Sequence, residues 1–471
     1  MPQQTPAALL ASLQTVKGFD EDSFLRVHES GEQITSVRRN ANKIINIQDS
    51  PKEAGQSIFT DELEKVPWSS NGYYLPERPS FTSDPLFHAG TYYVQEASSM
   101  FLEEAIRQSC DLSRPLKVLD LCAAPGGKST LIQAIISSDS LLVSNEVIKT
   151  RVNILTENLS KWGAANVVVT NNDPKDFQRL PDYFDLIVVD APCSGSGLFR
   201  KDPDAIDEWS LNNVELCSQR QERILADILP SIKSGGVLIY CTCSYSEKED
   251  EQIVDRLLTN HSVEGIRYEI NTDWHIIETA SPIHGAPGYR FYPYKLKGEG
   301  FFIAGFKKKE DGEKQDTKFF FPNKSRDKAG LLSKAAIETI RPYFKDVAAL
   351  SFLKWREEVL AVPAAIITDV LLLQSVLYIK KAGVNIGSII RNELIPGHEF
   401  ALSTLLATNV ASVELDTETA LQYLRRQDIK IETSLKGWAL VKFQQVVLGW
   451  IKILPGRINN YYPKGWRILN K

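Results

Sequence analysis

No stretch of this chain stays apolar for the roughly 20 residues that a membrane span needs. Its first residues, Met1-Pro-Gln-Gln-Thr-Pro6, also lack a basic segment followed by an apolar one. Neither a membrane role nor secretion is expected, which leaves the cytoplasm. Cysteine is scarce: six in 471 residues are too few for a disulfide framework, and none of them forms a C-x2-C pair. They are read as reduced thiols. Positive charge is not in excess either, because the formal net charge is -5. A uniformly basic coat for nucleic acid is thereby excluded, and any such surface has to be local. No internal repeat is evident.

What is present is the composition of a soluble globular protein, 43% hydrophobic and 24% charged, in a chain long enough for about two to four folding units. Leu9, Leu10, Leu13 and Val16 recur at three- and four-residue steps. Helix is therefore expected from residue 7 to about 42, followed by the basic run Val37-Arg-Arg-Asn40 as a solvated face. Residues 68–79, with Trp68, Tyr73, Tyr74 and several prolines, read as strands and loops. A helix follows over 96–108, with His88 before it as a packed or surface side chain.

From Leu116 onward, short β-rich runs alternate with amphipathic helices, the signature of an α/β fold with a parallel sheet. Strands are expected at 117–121, 141–146, 167–170, 186–190 and 237–242, with helices near 129–137, 149–162, 214–232 and 248–258. Two more strands are expected around Glu269 and at 300–307. The units are an N-terminal extension over 1–105, a core over 106–308, a polar linker over 309–328, a small α/β connecting unit over 329–395 and a last unit over 396–471. That last unit contains a hairpin-like pair of β-rich runs, and in it the charge inverts. Arg425, Arg426, Lys430, Lys436, Lys442, Lys452, Arg457, Lys464, Arg467 and Lys471 face only Asp428 and Glu432, with Trp438, Trp450, Tyr461, Tyr462 and Trp466 interleaved. The mixture suits phosphate contacts plus stacking on unpaired bases. The plainer reading is a small β core with a basic surface.

The core is organised around Val118-Leu-Asp-Leu-Cys-Ala-Ala-Pro-Gly-Gly-Lys-Ser129, an apolar strand that stops at a small-residue turn and resumes as a helix. Gly126 and Gly127 let backbone N–H groups approach a nucleotide-like ligand. A phosphate-binding P-loop competes, since Gly127-Lys-Ser-Thr130 matches its end, but that motif needs a glycine where Cys122 stands. A purely structural turn stays open as well. In a doubly wound sheet, ligands sit outside the carboxyl ends of the strands. The second strand ends in Asn145-Glu146, about 20 residues beyond the loop, where a ribose hydroxyl pair is usually held. The third is followed by Asn171-Asn-Asp173, suited to an adenine amino group. The fourth ends Asp190-Ala-Pro-Cys193 and the fifth Cys241-Thr-Cys243, so two thiols meet beside an aspartate if those strands are neighbours. Such a pair fits a metal site, a redox pair or a nucleophile. For zinc, Cys122, Cys193, Cys241 and Cys243 lack paired spacing and an accompanying histidine. A nucleophile has to be available as thiolate, and Lys128 and Arg200 are candidate sources of the positive charge that favours it.

Asp120-Leu-Cys-Ala-Ala-Pro-Gly-Gly-Lys128, Asp190-Ala-Pro-Cys-Ser-Gly-Ser-Gly197 and Thr242-Cys-Ser244, in this order, resemble the signature set of the RNA cytosine-C5 methyltransferases of the NOL/NOP/Sun family. The resemblance covers residues 87–307. Arg290-Phe-Tyr-Pro293, Gly300-Phe-Phe302 and the long C-terminal extension make the whole chain similar to members acting on small-subunit ribosomal RNA. It implies a Rossmann-like class I methyltransferase core of mostly parallel sheet, an α+β N-terminal extension that binds RNA and a PUA-like RNA-binding module. The implied cofactor is S-adenosylmethionine. Cys122, Ala123, Ala124, Pro125, Gly126, Gly127 and Lys128 would line its methionine and ribose side, Glu146 would hold the ribose, Asp173 the adenine, and Asp190 would sit between cofactor and target base. Cys243 would add to C6 of cytosine so that C5 can accept the methyl group, Asp190 would stabilise the adduct through the N3/N4 edge, and Cys193 would assist loss of the C5 proton. Cys241 is then packing. The implied partner is 16S ribosomal RNA, in its decoding-region stem within the 30S subunit, bound by a monomer without metal. A transfer-RNA target is the alternative within the class, and a non-catalytic ribosome-assembly factor the alternative outside it. One departure is Lys297-Gly-Glu-Gly-Phe-Phe302 where Asp-Gly-Phe-Phe is more frequent, which leaves Glu299 without a role.

Overall fold

The structure, a computed structural model, describes residues 5–43, 58, 63–310 and 330–469. Most of the expected linker, from residue 311 to 328, lies outside the described residues, as does Lys471. The chain opens with two short helices, Ala7–Leu13 and Glu21–Glu29, the second capped by Asp20, whose carboxylate accepts from the Ser23 N–H. Leu9, Leu13, Val16 and Phe24 bury themselves against Phe199, Trp209, Tyr245 and Tyr292. The expected helix does not continue to residue 42. Residues Thr35–Arg39 form strand β1, which pairs antiparallel with β2 (Gly72–Leu75) and β3 (Tyr92–Val94) on its two sides. The basic run is thus an inner strand rather than a solvated face, and Arg38 is 1% exposed. Its guanidinium donates to Gln95 Oε1 at 2.9 Å and Thr130 Oγ1 at 2.5 Å, and lies over the Trp162 ring. His88 is buried, with Nε2 against the Thr82 carbonyl.

The core sheet follows from the β/α alternation. Strands β4 (Lys117–Asp120), β5 (Leu141–Asn145), β6 (Val167–Thr170), β7 (Phe184–Asp190) and β8 (Ile232–Thr242) are parallel, in the order β6-β5-β4-β7-β8. Helices Gly127–Ile135, Lys149–Trp162, Leu211–Ile228 and Glu251–Asn260 pack on its faces. Strand order reverses at β4, with β5 on one side and β7 on the other, which puts the glycine loop at the switch point. No strand forms around Glu269. Instead β9 (Val263–Ile266) pairs with β12 (Phe301–Lys308), and β10 (Ile277–Ala280) and β11 (Pro287–Phe291) make an antiparallel hairpin that joins β12, itself antiparallel to β8. These strands are short, and pairing holds them rather than a local pattern, β9 and β11 on β12 and β10 on β11.

Beyond residue 330, β13 (Leu350–Trp355), β14 (Glu358–Pro363), β16 (Val384–Ile390) and β17 (Glu393–Pro396) form an antiparallel sheet, while β15 (Ile379–Ala382) leaves it to add an antiparallel edge to β6. The last strands, β18 (Ser412–Glu414), β19 (Gly437–Phe443), β20 (Val446–Leu454) and β21 (Arg457–Asn460), form a second four-stranded sheet whose centre is the expected hairpin. One apolar cluster joins Val37, Leu75 and Tyr92 of the first sheet to Tyr423, Phe443, Ile451 and Tyr462. Trp450 is fully buried among Phe344, Phe400 and Leu440. Trp450 and Tyr462 therefore serve the core, and neither is available to stack on a base, contrary to the reading of all five aromatics as a stacking set.

Candidate active site

At the loop after β4, Gly126 caps the helix Gly127–Ile135 with φ +117°, a left-handed conformation that L side chains avoid. The loop is held from behind: Arg151 Nη2 donates to the Ala124 carbonyl at 2.7 Å, Asn158 Nδ2 to that of Pro125 at 2.8 Å, and the Ala123 N–H to that of Asn145. Arg151 also approaches Glu146 Oε2 at 3.6 Å, while Glu146 Oε1 accepts from the Ile148 N–H. Glu146 and the loop are thus brought together by one guanidinium. Burial pushes the Cys122 thiol up, away from thiolate. Asp120, at the end of β4, is fully buried with only the Ser129 hydroxyl on one oxygen, and its Oδ1 has no hydrogen-bond partner among the described residues. An unpaired buried acceptor beside a glycine turn fits a site that takes a polar ligand. Asp173 is placed differently from the others. Its carboxylate caps the short helix Pro174–Arg179 by accepting from the Lys175 N–H, and faces Arg223 at 3.7 Å.

Beside this loop the two thiols meet. Strands β7 and β8 are parallel neighbours, and Cys193 Sγ lies 3.1 Å from Cys243 Sγ. The hydrogen bond to Cys243 comes first, and burial second, in raising the Cys193 thiol well above its usual range. The Cys193 thiol is thus kept protonated, and both residues remain partly exposed. Cys241, one turn of the pleat away, is buried in the core and its thiol is pushed up by burial. Asp190, at the end of β7, pairs with Lys128 Nζ at 2.7 Å. Burial is the largest single influence on Lys128 and works against its charge, but Asp190, with Cys241 and Asp120 adding to it, outweighs burial and holds the ammonium protonated. Lys128 is therefore committed to Asp190, and Arg200 to Glu299 at 3.6 Å and the Glu32 carbonyl at 2.9 Å. Burial raises the Glu299 carboxyl to about 7. Gly300 has to be glycine, because a Cβ there would fall 2.3 Å from Tyr245 Cζ and 2.6 Å from Gly197 Cα. Among the described residues no three His, Cys, Asp or Glu side chains are gathered to hold a metal ion.

Two residues around the thiols, Glu249 and Asp250, escaped the sequence reading, and Arg290 entered it only as part of a motif. Glu249 is fully buried and accepts from the Ser194 N–H and hydroxyl, the Ser244 hydroxyl and Gln221 Nε2. Asp250 accepts from the Thr242 hydroxyl at 2.7 Å, and the buried Arg290 bridges Asp250, Glu251 and the Tyr245 carbonyl. The one local sign was acidic residues a few positions past Ser244. Their partners include Ser194 beyond β7, Gln221 on the helix Leu211–Ile228 and Arg290 on β11, which spacing does not disclose.

Comparison with known proteins adds to this geometry. Sequence models described as 16S rRNA methyltransferase RsmB/F, the N-terminal domain of 16S rRNA methyltransferase RsmF and the methyltransferase RsmF PUA domain match residues 111–307, 5–97 and 410–468. Ribosomal RNA small subunit methyltransferase F of Aliivibrio salmonicida is 30% identical, over 91% of this chain and 90% of its own. This chain belongs to the ribosomal RNA small subunit methyltransferase F family. The relative from Aliivibrio fischeri is 29% identical over 98% of this chain and 97% of its own. This member of the family is an rRNA methyltransferase with a C-terminal PUA domain. A methyltransferase homolog protein from Pyrococcus horikoshii has the same core fold, with TM-score 0.50, 27% identity, and coverage of 64% of this chain and 99% of that one. NSun6 from Pyrococcus horikoshii, solved with SFG, matches in fold at TM-score 0.50 and 19% identity, covering 65% of this chain and 99% of that one.

Proposed function

We propose that this enzyme makes 5-methylcytidine in 16S ribosomal RNA, with S-adenosylmethionine as methyl donor and a covalent bond between Cys243 and C6 of the target base. The observation that carries the reading is the 3.1 Å approach of Cys193 and Cys243 beside the Lys128–Asp190 pair. Support for the donor comes from the glycine loop with Glu146 fixed beside it, the unpaired Asp120 oxygen and the SFG in a protein of similar fold, SFG being an analogue of that donor. Ala123 to Lys128, with Cys122, would line it, Glu146 would accept from its ribose, and Asp173 would reach its adenine with the oxygen that faces Arg223. When bound, the donor supplies an electrophilic sulfonium methyl group.

The protein residues have to do the rest. Cytosine C5 is too weak a nucleophile, so the Cys243 thiolate adds to C6 and the electrons of the C5–C6 double bond move to C5 and the N3/N4 edge. Asp190 accepts from the exocyclic amine, and Lys128 beside it offsets the negative charge that develops on the ring. C5 then takes the methyl group. Cys193 finishes the reaction. Its thiol is kept protonated first of all by the hydrogen bond to Cys243. Once that sulfur is bonded to C6 this cause is removed, while burial and the Glu249 charge still favour the thiol; Cys193 passes its proton to water and then takes the C5 proton. The electron pair left behind restores the double bond and expels the Cys243 thiolate. A stem cytidine has to leave its stack first. The substrate is read as 16S RNA in the decoding-region stem of the 30S subunit, met in the cytoplasm by a monomer.

Cys243→Ala is expected to abolish both methyl transfer and adduct, measured with labelled donor and denaturing gels. Cys193→Ala is expected to accumulate a protein–RNA adduct that survives denaturation. Methyl transfer retained by Cys243→Ala would remove it as the nucleophile. Bisulfite sequencing of ribosomal and transfer RNA from a deletion strain identifies the target class.

A further inference from the structure

Between β7 and β8 the two cysteine loops are joined at three levels. The Ala191 N–H donates to the Cys241 carbonyl before the thiols, and after them the Gly197 N–H donates to the Cys243 carbonyl at 2.8 Å and the Tyr245 N–H to Ser196 Oγ at 2.9 Å. At the level of the thiols themselves the tie is the carboxylate of Glu249. Oε1 accepts from the Ser194 N–H at 2.8 Å, and Oε2 from the Ser194 hydroxyl at 2.5 Å and the Ser244 hydroxyl at 2.6 Å. Ser194 follows Cys193 and Ser244 follows Cys243. Glu249 is itself fixed, because its carbonyl accepts from the Tyr240 hydroxyl at 2.7 Å and the neighbouring Asp250 accepts from Thr242, both on β8. Gln221 Nε2 joins the carboxylate at 3.3 Å to the Pro192 carbonyl at 3.1 Å.

We infer that Glu249 is a positioning residue that sets the distance between the two sulfurs, and through it the balance between forming and resolving the covalent adduct. Its side chain is fully buried and acts through the two serines. The inference rests on the proposed roles of Cys193 and Cys243. A carboxylate is needed because all four groups around it donate, and only a carboxylate offers two acceptor oxygens with no hydrogen of its own. An amide at this position would turn two hydrogens toward N–H and O–H donors. Two of these bonds hold Ser194, next to Cys193, and one holds Ser244, next to Cys243, so loosening them affects resolution more than attack.

The test is a pair of measurements on the full-length enzyme. Without RNA, diamide takes one hydrogen from each thiol and is reduced to its hydrazine while the sulfurs join, so the rate of disulfide formation between Cys193 and Cys243, read by peptide mass, reports their approach. With RNA, the ratio of trapped adduct to product reports resolution. Glu249→Gln is expected to slow diamide oxidation about tenfold, to lower turnover about 10²-fold and to raise the adduct-to-product ratio, as a misplacement of about 1 Å does. Glu249→Asp keeps the charge but not the reach, and is expected to follow Glu249→Gln. Wild-type oxidation and partition in either variant overturns the inference. Should Glu249→Gln fail to fold, Ser194→Ala and Ser244→Ala each remove one strut. Both are expected to slow oxidation severalfold and less than additively when combined, and unchanged rates in both overturn the inference. The oxidation assay reads sulfur geometry whether or not the sulfurs are catalytic, so failure of the cysteine assignment, seen as methylation by Cys243→Ala, is distinguishable from failure of the clamp.

Discussion

Asp120 ends the central strand with no cation on either oxygen. Burial raises its carboxyl to about 7, against the smaller lowering effect of the Ser129 hydroxyl. The native chain then keeps a proton between about pH 4 and pH 7 that the unfolded chain releases, so this residue makes stability fall as pH rises through that window. Asp120→Asn removes the titration without changing the shape. Urea unfolding at pH 5 and pH 7.5 is expected to show a smaller loss across the interval in the variant than in the wild type. At the same scale, Cys122 and Cys241 answer the question their scarcity raised. Both are inert because burial disfavours thiolate, whereas Cys193 is tuned by its neighbour and not by burial alone.

The elements that meet at the active site do so through backbone approach as much as through side chains. Gly300 lies against Gly197 and Tyr245, and its N–H donates to the Gly197 carbonyl at 3.1 Å. Gly300→Ala is expected to push β12 off the cysteine loops, costing about 1–3 kcal/mol as overpacking does; a lowered thermal midpoint together with reduced methylation checks it. The parallel strands and their helices were legible in the sequence, because β-branched runs and helical periodicity are local properties; the helix over 149–162 and the strand over 167–170 match to the residue. What local pattern could not carry was β1. Val37-Arg-Arg-Asn40 looks solvated until Gln95, Thr130 and Trp162, far away in sequence, supply partners for Arg38. The thiol pair was legible conditionally, on the adjacency of β7 and β8. Glu249 was not, since its work depends on two serines from different loops.

For the whole molecule, the N-terminal and C-terminal parts do not fold as separate beads. Val37, Leu75 and Tyr92 share one apolar cluster with Tyr423, Phe443 and Tyr462. Removing the last 45 residues would strip that cluster as well as any RNA contacts, so point variants test RNA binding more cleanly. Trp438 and Lys452 are cross-strand partners on β19 and β20, with Nζ 5.0 Å from the Trp438 ring, and Tyr461 packs edge-on at 4.4 Å between centroids. Tyr461 is 39% exposed. Trp438→Ala is expected to weaken RNA binding by about 1–3 kcal/mol with little change in salt dependence. Lys452→Ala, Arg457→Ala and Lys464→Ala are expected to flatten the salt dependence by about 0.7 per lost phosphate contact on single-stranded RNA. Filter binding at several salt concentrations checks both. The shared cluster also bears on how the enzyme is made. At roughly 5–20 residues per second of synthesis, the first sheet waits on the order of 20–80 s for the residues that close its core. A growing chain therefore carries an open apolar face until the segment with Tyr423, Phe443 and Tyr462 has been made.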